Sequence, residues 1–147
     1  MNRDFAEMLS ELNRHGVRFL VVGSYATAFH GYTRATKDLD LWVDSDEENG
    51  RRLKAALTAF GAPGEHLRDF EDFLASEDIL QIGVAPNRID LLTALPGVEF
   101  EPCWSRRVES KYGEVPVFVI SLGDHKANKR ATGRPQDLLD IENLPDD

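Results

Sequence analysis

The sequence predicts an α/β (α+β) domain: a mixed β-sheet flanked by helices. Three observations carry this expectation. Strand-like apolar runs at 17–22 and 39–43 alternate with helical periodicity at 4–15 and 46–60. Further strand-like runs follow at 79–84, 88–93 and 115–120, so the order is not a strict strand–helix repeat. No Gly-x-Gly-x-x-Gly follows the first strand, which argues against a doubly wound dinucleotide fold.

Each element has a local reason. Phe5, Met8, Leu9 and Leu12 share one face of a helix over 4–15, and Gly16 stops it. Val17-Arg-Phe-Leu-Val-Val22 is mostly apolar and so predicts a central strand. Gly23-Ser24 opens a short helix that runs to about His30 and ends near Gly31. Leu39-Asp-Leu-Trp-Val43 is the second strand. Asp44-Ser45-Asp46 offers a cap for the helix over 46–60, which Gly61 ends. Leu53, Ala56, Leu57 and Phe60 are expected to face the sheet. Residues 64–78 read as a loop with one helical turn. The runs 79–84 and 88–93 form a hairpin candidate around Ala85-Pro86-Asn87. Residues 96–113 read as irregular, with Arg106, Arg107 and Lys111 as a basic cluster. Pro116 in the 115–120 strand suits an edge or a strand end. Helices over 122–131 and 136–144 close the chain, separated by Gly133 and Pro135.

Composition narrows the classes. At 147 residues and 41% hydrophobic content, a single globular domain with its own core is expected. Asn2, Arg3 and Asp4 argue against a secretory leader, and the longest apolar stretch is too short for a membrane span. One cysteine, Cys103, allows no intrachain disulfide and fits a reducing cytoplasm, where it reads as a small buried hydrophobe. No Cys/His cluster suggests zinc. A net charge of -9 argues against a protein that coats long nucleic acid, yet leaves room for brief contact with one nucleic-acid end.

The chemistry-bearing residues are acidic. Asp38 and Asp40 are two apart at the start of a strand, so both carboxylates leave the same face. Leu39, Leu41 and Val43 take the other face. Like charges this close need something positive between them, and magnesium suits a few carboxylates plus substrate phosphates. Asp90 lies within the otherwise apolar Ile89-Asp90-Leu91-Leu92, where a carboxylate needs a reason, either a site or a structural hydrogen bond. Val22-Gly23-Ser24 passes from strand to helix. Gly23 permits close backbone approach, and Ser24 either caps the helix or bonds a phosphate oxygen. Together these could hold two metals ~3.5–4 Å apart around a triphosphate.

The stretch Gly23-Ser24-Tyr25-Ala26-Thr27-Ala28-Phe29-His30-Gly31-Tyr32-Thr33-Arg34-Ala35-Thr36-Lys37-Asp38-Leu39-Asp40 resembles the polymerase-beta-type nucleotidyltransferase superfamily. The resemblance is to its small bacterial branch of AbiEii-like and related toxin-type transferases. There a Gly-Gly or Gly-Ser pair precedes an Ala, a His-Gly, an Arg-x-Thr and an Asp-x-Asp. It implies a nucleotidyltransferase fold, with Gly23 and Ser24 on phosphate and Asp38 and Asp40 on metal. Asp90 in Arg88-Ile-Asp-Leu-Leu92 matches the third carboxylate. Ser121-Leu-Gly-Asp124 and the stretch from Lys129 to Asp137 are similar to the family's closing segment. Lys129 then matches a basic residue near the nucleotide phosphates, and Arg134 with Asp137 a structural or site pair.

The implied activity moves a nucleoside monophosphate from a nucleoside triphosphate, ATP among them, to an acceptor hydroxyl. Magnesium, or manganese, is the implied cofactor. Asp38, Asp40, Asp90 and Lys129 are the catalytic candidates, and the three aspartates the metal ligands. Gly23, Ser24, Arg34, Thr36 and Lys129 are the nucleotide-binding candidates. Arg34 either contacts phosphate or pairs with an aspartate. Lys37 reads as a solvated strand-end charge, His30 as a hydrogen-bonding residue of its turn. Tyr25 either stacks on a base or packs its helix. Lys126, Lys129, Arg130 and Arg134 form a basic patch, either solvated or facing phosphate. Asp124 either caps its helix or touches the site; Asp137 either pairs with Arg134 or caps the last helix. The acceptor is open: an RNA end, as for a toxin paired with an antitoxin protein, or a small hydroxylated or cationic molecule of the aminoglycoside kind. A nucleotide-binding regulatory module without catalysis is the remaining reading. Longer toxin members carry an additional carboxy-terminal domain with no counterpart here, so acceptor recognition is expected to involve a partner, a dimer or a small acceptor.

Overall fold

The computed structural model describes residues 2–33, 38–84 and 86–146. Its first helix, α1 (Arg3–Arg14), is capped by Asn2, whose side chain accepts from the Phe5 amide. Strand β1 (Phe19–Val22) is buried throughout. Helix α2 (Gly23–Phe29) follows it without a linker. Strand β2 (Leu39–Val43) leads to α3 (Glu47–Phe60), capped by Asp46 and closed by Gly61 in the left-handed region. Two short helices, α4 (Gly64–Arg68) and α5 (Phe70–Ala75), precede the hairpin of β3 (Leu80–Ile82) and β4 (Ile89–Leu92). Then come α6 (Phe100–Ser105), β5 (Val108–Tyr112), β6 (Val115–Val119), α7 (Leu122–Thr132) and α8 (Pro135–Asn143).

The strands form a six-stranded mixed sheet in the order β3-β4-β2-β1-β6-β5. β1 is central, as its apolar run predicts. It runs antiparallel to β2 and parallel to β6, while β2 and β4 are parallel. Helices flank this sheet, so the mixed α/β expectation holds. Among the described residues, no helix is long and apolar enough to cross a membrane.

Alternation along β2 sorts its side chains. Leu39, Leu41 and Val43 are buried on one face. Asp38, Asp40 and Trp42 take the other, where Trp42 meets the Phe100 ring edge-on at 5.2 Å. Tyr25 packs its helix rather than standing free, with edge contacts to Phe5 and Tyr112. One buried apolar cluster joins α1, α3, α5 and the central strands.

Two expectations need correction, and of the two places expected for Pro116 the structure has the strand end rather than the sheet edge. Residues 96–113 are not irregular: they hold α6 and β5. Phe100 and Trp104 lie on one side of α6 and stack at 5.8 Å, a four-residue spacing too short to register as helical periodicity. β5 alternates only between half-buried and exposed, so it lacks an apolar signature. Residues 64–78 contain two helices rather than one turn; Phe70 and Phe73 are the buried anchors of α5, and α4 buries none of its residues. β6, which contains Pro116, is an inner strand. β1 meets it at Val119, well beyond the proline, whose carbonyl accepts from the Asn13 side chain.

Candidate functional site

The parallel pairing of β2 with β4 sets Asp40 directly opposite Asp90 and Leu39 opposite Ile89. One step back, Asp38 lies opposite Arg88. Two Asp-spaced positions on one strand thus face an Arg-x-Asp on the next, all on one side of the sheet. On the other flank, Val22 of β1 pairs with Asp40. The chain turns immediately at Gly23, with φ +66°. A Cβ on Gly23 would lie 2.1 Å from Asp40 Oδ2, so only glycine lets the turn sit this close to the carboxylate. The amino end of α2 has no side-chain cap from Val22.

Electrostatics mark Asp40. Its carboxyl is pushed up to about 7, first by burial, then by the Asp90 charge and the hydrogen bond they share, then by Asp38; Arg88 opposes this. Arg88 is the cation that sequence reasoning overlooked. Its Nε and Nη2 donate to the two oxygens of Asp90 at 3.0 and 3.2 Å, and Nη2 also donates to Asp38 Oδ2 at 2.7 Å. Asp38 Oδ1 is buried with no hydrogen-bond partner among the described residues.

Of these groups, Asp40 and Asp90 line a cleft of about 250 Å³, whereas Asp38 and Arg88 are not among its lining residues. Gly23, Asp40, Asp90, Lys129, Arg134 and Asp137 form its polar part, and Ile79, Leu92, Leu95 and Pro96 an apolar wall. A wider hollow of about 530 Å³ beside α1 and the end of α3 has neither a buried cation nor a glycine turn.

Lys129 reaches the cleft from α7, but not as part of a solvated patch. It is buried, with Nζ 2.7 Å from Asp140 and 3.5 Å from Asp137. Lys126 is also buried and donates to the Pro145 carbonyl. Of the two readings of the basic patch, the solvated one fails for Lys126 and Lys129, which are interior, while Arg130 is exposed. Arg134 stays exposed and donates to Asp137 through Nε at 2.8 Å. Asp137 also closes a capping box with Arg134, so pairing and capping both apply. These donors hold its carboxyl well below the usual carboxylate range, against its burial.

Other candidates fall outside the cleft. Asp124 does not cap α7; Ser121 does, and Asp124 accepts two bonds of 2.9 Å from Arg106. His30 donates from Nε2 to the Ile120 carbonyl at 2.7 Å, a structural hydrogen bond as expected, though to a distant segment rather than within its own turn. Cys103 is buried, and burial pushes its thiol up to about 12, which removes it as a nucleophile. Ser24 is the second residue of α2. Arg34, Thr36 and Lys37 lie outside the described residues.

Asp38 just before β2, Asp40 on β2 and Asp90 on β4, with an Asp38 oxygen that has no partner among the described residues and a half-buried Asp40 whose charge is poorly compensated, fit a hard divalent cation. In this conformation Arg88 claims both oxygens of Asp90. Among the described residues, no three acidic, histidine or cysteine groups are already gathered as a metal cage. Asn128, whose Nδ2 donates to the Pro96 carbonyl, is a further cleft residue without a local sequence signal, and Asp140 lies buried behind the cleft against Lys129. Neither a protein-family model nor a curated protein matches this chain.

Proposed function

We propose that the protein is a metal-dependent nucleotidyltransferase of nucleotidyltransferase fold. It moves a nucleoside monophosphate from a nucleoside triphosphate to an acceptor hydroxyl. The observation that carries this reading is the contact of Gly23 with Asp40, directly across from Asp90, in a cleft that also holds buried Lys129.

Asp38 and Asp40 hold the divalent cation. When bound, that cation neutralises triphosphate charge and acidifies the acceptor hydroxyl. Asp90 orients that hydroxyl and takes its proton. The Gly23–Ser24 turn brings backbone N–H groups to the phosphates. Lys129 opposes the charge that develops on departing pyrophosphate. The apolar wall of Ile79, Leu92, Leu95 and Pro96 excludes water from one side of the cleft.

The acceptor follows from the same site with less constraint. An RNA end, in a toxin held by an antitoxin protein, is the first reading. The net charge of -9 favours a second, a small hydroxylated cation. Incubation of each alpha-labelled nucleoside triphosphate and magnesium with RNA, protein and small-molecule extracts tests both. Label in the RNA fraction supports the first acceptor, and label in the small-molecule fraction the second. Label from the folded Asp38→Asn/Asp40→Asn protein equal to wild type overturns the mechanism.

A further inference from the structure

The four facing residues at the start of β2 and β4 carry unequal charge: three carboxylates and one guanidinium. Arg88 satisfies both oxygens of Asp90 and one of Asp38, at 3.0, 3.2 and 2.7 Å. These are charge-assisted bonds, and the guanidinium fork matches a carboxylate better than an ammonium does. A third of the Arg88 side chain is exposed, so it has a route toward solvent. The Asp38 oxygen it does not reach is the buried one without a partner among the described residues. A divalent cation on Asp38 and Asp40 would lie against the guanidinium that holds the other Asp38 oxygen, and two positive groups on one carboxylate repel.

We propose that Arg88 is a positioning residue that takes the place of the divalent cation in the resting protein and releases Asp38 when the cation binds. This rests on the cation site proposed above. Arg88 keeps the carboxylates together while no cation is present, and its release is a cost that every binding event carries. Charge repulsion among Asp38, Asp40 and Asp90 is thereby limited in the empty site, and cation affinity is set below what the carboxylates alone would give.

A residue that merely holds β2 to β4 would affect stability alone, or weaken binding as it loosens the ligands. Cation competition has the opposite signature. Removal of Arg88 lowers thermal stability without cation and tightens cation binding. The test measures free manganese by electron paramagnetic resonance, with thermal melts alongside, for wild type, Arg88→Gln, Arg88→Lys and Asp40→Asn. Arg88→Gln is expected to bind manganese about tenfold more tightly than wild type, on the scale of one charge-assisted hydrogen bond. Its melting temperature without cation is expected to fall. Arg88→Lys, which keeps the charge and is the variant of choice if Arg88→Gln does not fold, is expected to bind about threefold more tightly, because an ammonium cannot hold both carboxylates. Unchanged or weaker binding in the folded Arg88 variants overturns the proposal. If wild type binds manganese and Asp40→Asn does not, that result leaves the cation site standing. If no variant shows Asp40-dependent binding, the cation site and the role of Arg88 both fall.

Discussion

Gly23 lies against Asp40 so closely that a single added methyl would meet the carboxylate at 2.1 Å. The backbone there has φ +66°, which an L side chain resists by about 1–2 kcal/mol. Gly23→Ala is therefore expected to lower the melting temperature by roughly 5 °C and to displace Asp40. Nucleotide transfer should fall by more than the loss of folded protein. A Gly23→Ala protein with wild-type melting and wild-type turnover would show that the contact is incidental.

Asp40 should cost stability when no cation offsets it. Its folded carboxyl titrates at about 7 against an ordinary 3.8, so the folded state holds more protons than the unfolded state between these values. Stability then falls as pH rises through that window. The full linkage is of order 4 kcal/mol. Asp40→Asn is expected to be more stable than wild type at pH 8, with the difference vanishing below about pH 4. Magnesium should narrow the gap at pH 8. Urea melts across pH check it, and a less stable Asp40→Asn at pH 8 without cation contradicts it.

His125 works in the opposite direction. It is buried, with Nε2 2.8 Å from Thr27 Oγ1, and burial pushes its imidazole down to about 3, helped by the Lys129 charge and by His30. The unfolded state binds the proton first. Stability from the neutral ring is complete above about pH 6.5 and is lost as pH falls toward 3. The Asp40 effect masks this in wild type. In the Asp40→Asn background the acid-side loss should stand out, and His125→Gln should flatten it even while lowering stability at neutral pH.

Lys129 has a structural duty as well as a proposed catalytic one. Asp140 is wholly buried, with Lys129 at 2.7 Å and the Gln136 side chain at 2.8 Å. Lys129→Met leaves that carboxylate without its cation and is expected to cost about 3–5 kcal/mol. Adding Asp140→Asn should recover much of the stability. Transfer should stay lost in the double variant, because the Lys129 ammonium no longer faces the phosphates. Recovery of both would reduce Lys129 to a core residue.

Much of this geometry was legible in the chain, and the misses share a cause. β2 shows its two faces in Leu39, Leu41 and Val43 against Asp38 and Asp40, because strand alternation is a local property. Gly23 is legible as the glycine of a strand-to-helix turn, but its contact with Asp40 depends on the pairing of β1 with β2. Arg88 is different. Its partner Asp38 is fifty residues away, and only the register of β2 on β4 reveals that they meet. The same holds for Lys129 and Asp140, which come together through the turn between α7 and α8. α6 and β5 were hidden because one is a short helix and the other a half-exposed strand, neither of which buries a full stripe.

The central claim is nucleotidyl transfer through Asp38, Asp40 and Asp90. Parallel reactions with alpha-labelled and gamma-labelled nucleoside triphosphate, run with wild type and with Asp40→Asn, test it most directly. Acceptor label is expected from the alpha position alone, matching release of pyrophosphate, and none from Asp40→Asn. Acceptor label from the gamma position, or undiminished alpha transfer by Asp40→Asn, would contradict it.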